Sequence, residues 1–234
     1  MSPVIKVSSV YYPESDGRPM GETDLHRAAM VRHIELLQHY YRGQKVYVSG
    51  DLLLYYEQGN PKKFVVPDAF VVKGLEPGPR RVYKTWVERK VPNAVIETTS
   101  RKTKRKDTID KPLLYAQLRI PEYFLFDPTE DYLDPPLQGH RLVGEAYQSI
   151  PPESDGSLVS QELGLRLRFE KGVLAFYRLD TGERLLPAED RVAAAEERAA
   201  AEAKRAAAEA KRAAAAEAEL AHLKEELRRQ GKQA

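Results

Sequence analysis

Residues 64–72 of the chain are Phe-Val-Val-Pro-Asp-Ala-Phe-Val-Val, and residues 94–99 are Ala-Val-Ile-Glu-Thr-Thr. Both runs are short and rich in β-branched or aromatic residues, so both predict buried strands. Each run contains one carboxylate, Asp68 in the first and Glu97 in the second. A buried carboxylate has to be ion-paired, hydrogen-bonded or bound to a metal, because a bare charge is very costly to bury. Two such carboxylates on neighbouring strands would form an oxygen-ligand site suited to Mg²⁺.

Each carboxylate also has a purely structural interpretation. Asp68 follows Pro67, so the pair could be a turn at the end of a strand. Glu97 could form a buried ion pair with an arginine or lysine. We favour the metal site because the apolar run continues on both sides of Asp68 and because the second carboxylate has a similar setting.

A dense run of positive charge follows Glu97. Five of the six residues at 101–106 are cationic, namely Arg101, Lys102, Lys104, Arg105 and Lys106. The net charge of the whole chain is only +2, so attraction to polyanions has to come from such a local patch. A charge run is often only a solvated loop, but the position of this one beside the acidic site favours contact with phosphates. An acidic metal site next to a basic loop indicates a polyanionic substrate, most simply nucleic acid.

Composition excludes several other classes of site. The chain has 234 residues and no cysteine, which excludes disulfides, cysteine-ligated zinc and thiol chemistry. The five histidines have no zinc-ligand spacing, and no glycine-rich phosphate loop or Gly-x-Ser-x-Gly elbow is present. The N-terminus lacks a signal-peptide core, and no apolar run approaches the roughly 20 residues of a membrane span. We therefore expect a soluble, cytoplasmic protein with no membrane partner.

Two helices are predicted within residues 1–188. The first covers 22–41, where apolar residues and His26 recur at helical spacing and form one inward face. Glu22 lies one turn before His26 on that face, and we interpret the pair as a buried polar contact or a feature of the helix start. The second helix is predicted over 111–118, with Asp110 as its N-cap and a proline in its first turn.

The remaining strands complete an α/β domain over 1–188. An alternating segment at 45–56 predicts a strand or hairpin, and residues 121–128 predict another buried strand with a clear end. Residues 131–186 are divided by glycine and proline into short strands, which predict a meander that covers the edge of the core.

Composition changes abruptly near residue 188, after which almost only Ala, Glu, Lys and Arg remain. The heptad Ala-Glu-Ala-Lys-Arg-Ala-Ala at 201–207 recurs at 208–214, which predicts one long helix over about 189–229. Glu202 and Glu209 occupy the second of the two stripes that a coiled coil needs. We interpret 189–234 as a helical tail that is mainly a spacer, with a leucine-rich end that could form a weak coiled coil or a homodimer contact.

A metal-dependent nuclease needs carboxylates that hold Mg²⁺, a water that loses its proton at the metal, and a cation near the attacked phosphate. Asp68 and Glu97 supply the carboxylates. Because side chains repeat every two residues along a strand, Thr99 lies on the face of Glu97. The backbone carbonyl of Thr98 is a further candidate oxygen donor.

Lys111 is the best candidate for the cation. Steps of four residues join it to Asp107 on one side and to Tyr115 on the other. If the helix begins early, all three residues share one face. The structural alternative is an ordinary lysine on the surface of a helix.

Several short motifs follow one another along the chain in a definite order: Pro67-Asp68, Val95-Ile96-Glu97 with Ser100, Asp107 and Lys111, Tyr115-Ala116, and the run from Pro121 to Pro128. Each motif alone is weak, but the ordered set over about residues 20–180 resembles the Uma2-type proteins. Those proteins belong to the PD-(D/E)XK, or restriction-endonuclease-like, nuclease superfamily. The resemblance implies a mixed central sheet flanked by helices, and it leaves out the alanine-rich tail.

The resemblance also implies roles for individual residues. Asp68 and Glu97 match the metal ligands, so we expect Mg²⁺, or Mn²⁺ in its place. The superfamily pattern has a lysine two residues after the second acid, whereas this chain has Thr99 there. In Uma2-like sequences a later lysine that matches Lys111 takes the role. Glu22 matches, more loosely, an acidic residue of the first helix that some members add to the site.

Two functions therefore compete. The first is a Mg²⁺-dependent endonuclease that hydrolyses phosphodiester bonds of DNA, with Asp68, Glu97 and Lys111 as catalytic residues. The second is a non-catalytic nucleic-acid or protein-binding module that keeps the nuclease fold and uses the helical tail for interaction. The resemblance supports the fold more strongly than it supports activity.

Overall fold

The computed structural model describes residues 10–17 and 23–230. The chain divides into two compact units, residues 1–185 and residues 186–234. The secondary structure of the first unit is α1 (Asp24–Tyr40), β1 (Val46–Ser49), β2 (Leu54–Tyr55), β3 (Phe64–Val65), β4 (Ala69–Lys73), β5 (Tyr83–Lys84), α2 (Thr85–Glu88), β6 (Ala94–Thr98), a π-helical turn (Lys106–Asp110), α3 (Lys111–Gln117), β7 (Glu122–Phe126), β8 (Leu137–Val143), β9 (Ala146–Ser149), β10 (Leu158–Ser160), β11 (Leu165–Glu170) and β12 (Val173–Arg178). The second unit contains α4 (Ala188–Gln230).

The architecture is mixed α/β around a six-stranded sheet. Its strand order is β1-β4-β6-β7-β8-β9. The pair β6–β7 is parallel, and the other pairs of this sheet are antiparallel. Two three-stranded sheets, β10-β11-β12 and β3-β2-β5, accompany it. The predicted α/β class, a mixed central sheet with helices and a long C-terminal helix, is confirmed.

Alternate residues of the central strands enter two different hydrophobic cores, as the two-residue period of a strand requires. In β6, Ala94 and Ile96 join the core that includes Leu36 and Leu37 of α1, whereas Val95 joins the core that includes Tyr115 of α3. The strand is therefore buried on both faces. Glu97 follows Val95 by two residues and so faces the same side as α3.

The predicted strand over 64–72 is divided in the structure. β3 and β4 belong to different sheets and are separated by residues 66–68. Pro67 has no backbone N–H for a ladder, and its carbonyl accepts a hydrogen bond from the Asp51 N–H (2.9 Å). Gly50 packs so closely that a Cβ there would lie 1.9 Å from the Asp68 carbonyl oxygen. Asp68 thus occupies a bend at the start of β4, and its backbone is held from outside the strand.

In two further regions the observed strands are arranged differently from the prediction. The segment 45–56 contributes β1 to the central sheet and β2 to a small sheet, so it is not a hairpin. Within 131–186, β8 and β9 extend the central sheet beyond β7, and only β10–β12 form a separate layer. The region predicted as a meander thus supplies β8 and β9 to the central sheet as well as the separate layer β10–β12.

Both predicted helices of the first unit are present, with different starts. Thr23 begins α1, and its side-chain oxygen accepts a hydrogen bond from the His26 N–H (3.2 Å), as an N-cap does. The predicted start at Glu22 lies outside the described residues. The second helix begins earlier than predicted, because residues 104–105 and the π-helical turn precede α3. Asp110 has helical dihedral angles and makes no capping hydrogen bond, so it is not the N-cap.

The second unit is a helix of 43 residues. Every side chain from 195 to 217 is exposed, which agrees with its alanine and charged composition. Within the part of the chain that the structure describes, no helix has the length and hydropathy that crossing a membrane requires.

Candidate active site

Asp68 is held by donors from two elements. Its Oδ2 accepts a hydrogen bond from the Thr98 N–H of β6 (2.7 Å) and lies 3.0 Å from His26 Nε2 of α1. The register that pairs Ala69 with Ile96 places Asp68 beside Glu97. The Asp68 side chain is 16% exposed, and no donor in the described chain is bonded to its Oδ1. Oδ2 is therefore fixed by its two donors, and Oδ1 is open to a ligand.

Glu97 is fully buried, and both of its carboxylate oxygens have donors. Oε1 accepts a hydrogen bond from the Tyr115 hydroxyl (2.6 Å). Oε2 lies 2.6 Å from Lys111 Nζ and also accepts a hydrogen bond from the Asp68 N–H (3.2 Å). These contacts give both oxygens of the buried carboxyl group a partner, and they connect the start of β4 with β6 and α3.

The helix that carries Lys111 also carries Asp107. Lys111 Nζ lies 2.9 Å from Asp107 Oδ1 as well as next to Glu97, and both partners of Lys111 are buried. The Tyr123 hydroxyl donates a hydrogen bond to the Asp107 carbonyl (2.6 Å), which holds the π-helical turn against the sheet. Because the helix begins before residue 107, Asp107, Lys111 and Tyr115 share one face.

The pKa values of the clustered residues depend on two opposing effects, burial of each group and the charges of its neighbours. Burial raises the pKa of Glu97 and of Asp107, against the effect of the Lys111 ammonium. Burial alone would raise the pKa of Asp68, but the His26 hydrogen bond and the charge of Lys111 hold it below its usual value. Burial alone would lower the pKa of Lys111, but the surrounding carboxylates hold it above its usual value. The acids around Lys111 thus favour its charged form.

Two other buried carboxylates show what a purely structural role looks like. Glu122 accepts hydrogen bonds from Arg141, from the Ser160 hydroxyl and from two backbone N–H groups. Asp127 accepts four hydrogen bonds, three of them from backbone N–H groups of the following turn. Each has its own complete set of donors. In the Asp68 cluster one ammonium instead contacts two acids, Glu97 and Asp107, and Glu97 also accepts a hydrogen bond from the Asp68 backbone, which is an arrangement typical of functional sites.

The cluster offers only oxygen donors beside the lysine, which suits Mg²⁺ or Mn²⁺. Within the described chain, no group of three or more His, Asp or Glu side chains has the arrangement of a metal site. The fit therefore rests on two carboxylates with a backbone carbonyl. The buried hydroxyls of Thr98 and Thr99, which follow Glu97 in the sequence, have no hydrogen-bond partner in the described chain. Asp68 and Glu97 are the residues that would hold a hard divalent cation.

The basic segment lies at the start of the same helix. Arg101 and Lys102 are in a turn, Lys104 and Arg105 are helical, and Lys106 begins the π-helical turn. All five side chains are exposed. One helix thus presents cations to solvent at its first turn and Lys111 to the buried acids two turns later.

The sequence prediction for the site has different outcomes for different residues. Asp68, Glu97, Lys111 and Asp107 lie together, and Thr99 is buried directly after β6. Glu22 lies outside the described residues. His26 is buried and contacts Asp68, and the predicted pair of Glu22 and His26 stays a prediction. Tyr115 was not proposed as a site residue, although its four-residue step from Lys111 pointed to it.

Comparison with known proteins identifies the family of the chain. The model of the Uma2 family, described as "Putative restriction endonuclease", matches residues 12–176. The chain is also similar to the crystal structure of "a putative nuclease belonging to DUF820" from Anabaena variabilis ATCC 29413, at 14% identity over 62% of this chain and 76% of that chain, with a TM-score of 0.45. No curated protein matches the chain. Because the family model covers more than half of the sequence, the chain belongs to the Uma2 family.

Proposed function

We propose that the protein is a Mg²⁺-dependent endonuclease that hydrolyses phosphodiester bonds of DNA, and thus a hydrolase acting on ester bonds. Membership of the Uma2 family supports a nuclease. The observation that carries the proposal is the meeting of Asp68, Glu97 and the buried Lys111 ammonium at the end of the central sheet. The exposed cations on the same helix support a polyanionic substrate.

Each residue has a defined task in this proposal. Asp68 and Glu97 would hold the metal, which when bound supplies an activated water and neutralises phosphate charge. Lys111 would place its ammonium beside the attacked phosphate and stabilise the charge that develops there. The surrounding acids raise the pKa of Lys111 and so favour its charged form, in which it would act as a cation there. Asp107, which contacts Lys111 Nζ at 2.9 Å, would keep the ammonium in place.

Cleavage of supercoiled plasmid DNA tests the proposal. The wild type should nick and linearise the plasmid with Mg²⁺ or Mn²⁺ and should lose activity in excess chelator. Asp68→Asn and Glu97→Gln keep side-chain volume and should abolish cleavage, because each removes a charged metal ligand. Glu145→Gln is the matched control, because Glu145 is an exposed acid in the β8–β9 turn. Equal cleavage by wild type, Asp68→Asn and Glu97→Gln would overturn the assignment of the site.

One observation favours the second candidate, a non-catalytic binding module. Both oxygens of Glu97 already have protein donors, and Lys111 supplies a positive charge where a metal would supply one. Thermal melting distinguishes the two functions, because a ligand of the native state raises its melting temperature. A rise with Mg²⁺ or Mn²⁺ that disappears in Asp68→Asn supports the nuclease. DNA binding without any metal response supports the module.

A further inference from the structure

His26 reaches the proposed metal ligand from a separate element of the fold. It lies in the first turns of α1, is buried, and places Nε2 3.0 Å from Asp68 Oδ2. The residues are 42 positions apart in the sequence, so the contact depends on the packing of α1 against the sheet. An ionised carboxylate only accepts hydrogen bonds. His26 Nε2 therefore carries the proton and donates it.

The hydrogen bonds of Asp68 define the orientation of its carboxylate. His26 of α1 and the Thr98 N–H of β6 both donate hydrogen bonds to Oδ2. The backbone of this bend is fixed separately by the close approach of Gly50. Two donors on one oxygen restrict rotation of the carboxylate and leave Oδ1 directed away from both. Of the two donors, only His26 is a side chain that substitution can remove.

We infer that His26 is a positioning residue that orients the Asp68 carboxylate so that Oδ1 faces the divalent cation. The inference rests on the proposed function, because it assigns Asp68 to the metal. A group that hydrogen-bonds a metal-binding carboxylate lowers the cost of arranging it for the ion. Removal of His26 should therefore weaken metal binding without removing any atom that touches the metal.

His33 provides a matched control in the same helix. It lies two turns after His26, is also buried, and packs its ring against Phe126 and Phe176. Burial lowers the pKa of His33 to about 3, so its imidazole is neutral. Neither ring nitrogen has a hydrogen-bond partner in the described chain. Its substitution disturbs the same core and removes no hydrogen bond from the Asp68 carboxylate.

Titration of the full-length protein with Mn²⁺ in a calorimeter tests the inference. The substitution His26→Leu removes the hydrogen-bond donor at similar side-chain volume. The substitution His26→Gln keeps an N–H group near the position of Nε2. We expect His26→Leu to weaken Mn²⁺ binding by about 10- to 100-fold, the usual effect of removing such a partner. His26→Gln should restore most of the affinity. His33→Leu should change the melting temperature and leave the affinity for Mn²⁺ unchanged.

The outcomes separate this inference from the proposed function. If the wild type binds no Mn²⁺, the metal site and with it the proposed function are wrong. If the wild type binds Mn²⁺ and folded His26→Leu binds it equally well, the inference alone is wrong. If the His26→Leu variant fails to fold, the His26→Asn variant replaces it. The asparagine side chain is too short to reach Asp68 Oδ2, so this substitution should weaken Mn²⁺ binding in the same way. Equal affinity of His26→Asn and wild type would also overturn the inference.

Discussion

The Lys111 ammonium lies 2.6 Å from Glu97 Oε2 and so competes with any cation that binds this carboxylate. Lys111→Met removes the charge at similar length. We expect the variant to melt at a lower temperature without metal, because Glu97 and Asp107 lose the ammonium that both of them contact. It should also bind Mn²⁺ at least about tenfold more tightly, because a nearby like charge is gone, while cleavage of plasmid DNA is lost.

Lys45→Met is the control for this prediction. Lys45 is exposed and pairs with Glu76 on the surface, so its loss should change neither metal affinity nor cleavage. Weaker Mn²⁺ binding by Lys111→Met would contradict the competition. Full cleavage by Lys111→Met would remove Lys111 from the catalytic residues.

Burial of Glu97 should make the stability of the protein depend on pH. It raises the pKa from its ordinary value of 4.5 to about 8, so the native state holds this proton more tightly than the unfolded state. Without metal, stability should therefore fall as pH rises through this window. Mg²⁺ has to displace the proton at low pH, so it should raise the melting temperature more at about pH 8.5 than at about pH 6.

Glu97→Gln tests the origin of that pH dependence. The variant lacks the titrating group, so Mg²⁺ should no longer raise its melting temperature at either pH. Its metal-free melting temperature should also fall less than that of the wild type between about pH 6 and about pH 8.5. A wild-type response to Mg²⁺ that shrinks as pH rises would contradict this account of Glu97.

At this scale the sequence predicted the residues better than their contacts. Asp68 and Glu97 were recognisable because a charge within an apolar run needs a partner. The hydrogen bonds from His26 and Tyr115 were not predictable as such, because they depend on how α1 and α3 pack against the sheet. Only the four-residue spacing around Lys111 gave an indication of Tyr115.

The helix from 104 to 117 is the element that connects substrate contact with the buried site. Its N-terminal end carries a cluster of lysine and arginine, whereas the helix dipole favours negative charge at that end. The segment is therefore electrostatically unfavourable in the free protein, and a phosphate bound there would relieve the repulsion. The sequence did not predict this early start, because Asp110 resembles an N-cap and the residues before it lack apolar periodicity.

Replacing the basic segment by glutamine tests its role. With Arg101, Lys102, Lys104, Arg105 and Lys106 all changed to Gln, DNA binding should weaken and its dependence on salt should flatten. The log–log salt slope should fall by about 0.9 for each phosphate that the protein no longer neutralises. The melting temperature should rise or stay equal, because the unfavourable charges at the helix start are gone.

The long helix provides the matched control for that substitution. Five cations of α4 lie in its exposed part, at Arg198, Lys204, Arg205, Lys211 and Arg212. Their change to Gln alters net charge by the same amount and should leave the salt slope near that of the wild type. Equal slopes for the wild type and the basic-segment variant would mean that the segment is only a solvated loop.

For the whole molecule, the sequence predicted the α/β class and the separate tail, because hydrophobic patterning and composition determine them. It did not predict which strands share a sheet. β2 and β3 leave the central sheet, and β8 and β9 join it. Such pairings depend on contacts between distant residues, whereas alternation shows only that a strand is buried on one face or two.

The two units differ in what they contribute to folding. Residues 158–176 supply six buried apolar residues of one core, Leu158, Leu163, Leu165, Leu167, Leu174 and Phe176. The described side chains of α4 from 195 to 217 are exposed. A protein of residues 1–185 should therefore unfold cooperatively near the wild-type melting temperature and keep its response to Mg²⁺. A protein of residues 1–157 should not fold, because it loses β10–β12 and leaves the apolar face of the sheet uncovered.

Circular dichroism and thermal melting of both truncated proteins decide this prediction. The shorter protein should give no cooperative transition, which confirms that the assay detects loss of core residues. The longer protein should lose helical signal in proportion to α4 and little else. Loss of its cooperative transition would mean that residues 186–234 are needed to fold the first unit, by docking on it or by obligatory association between copies.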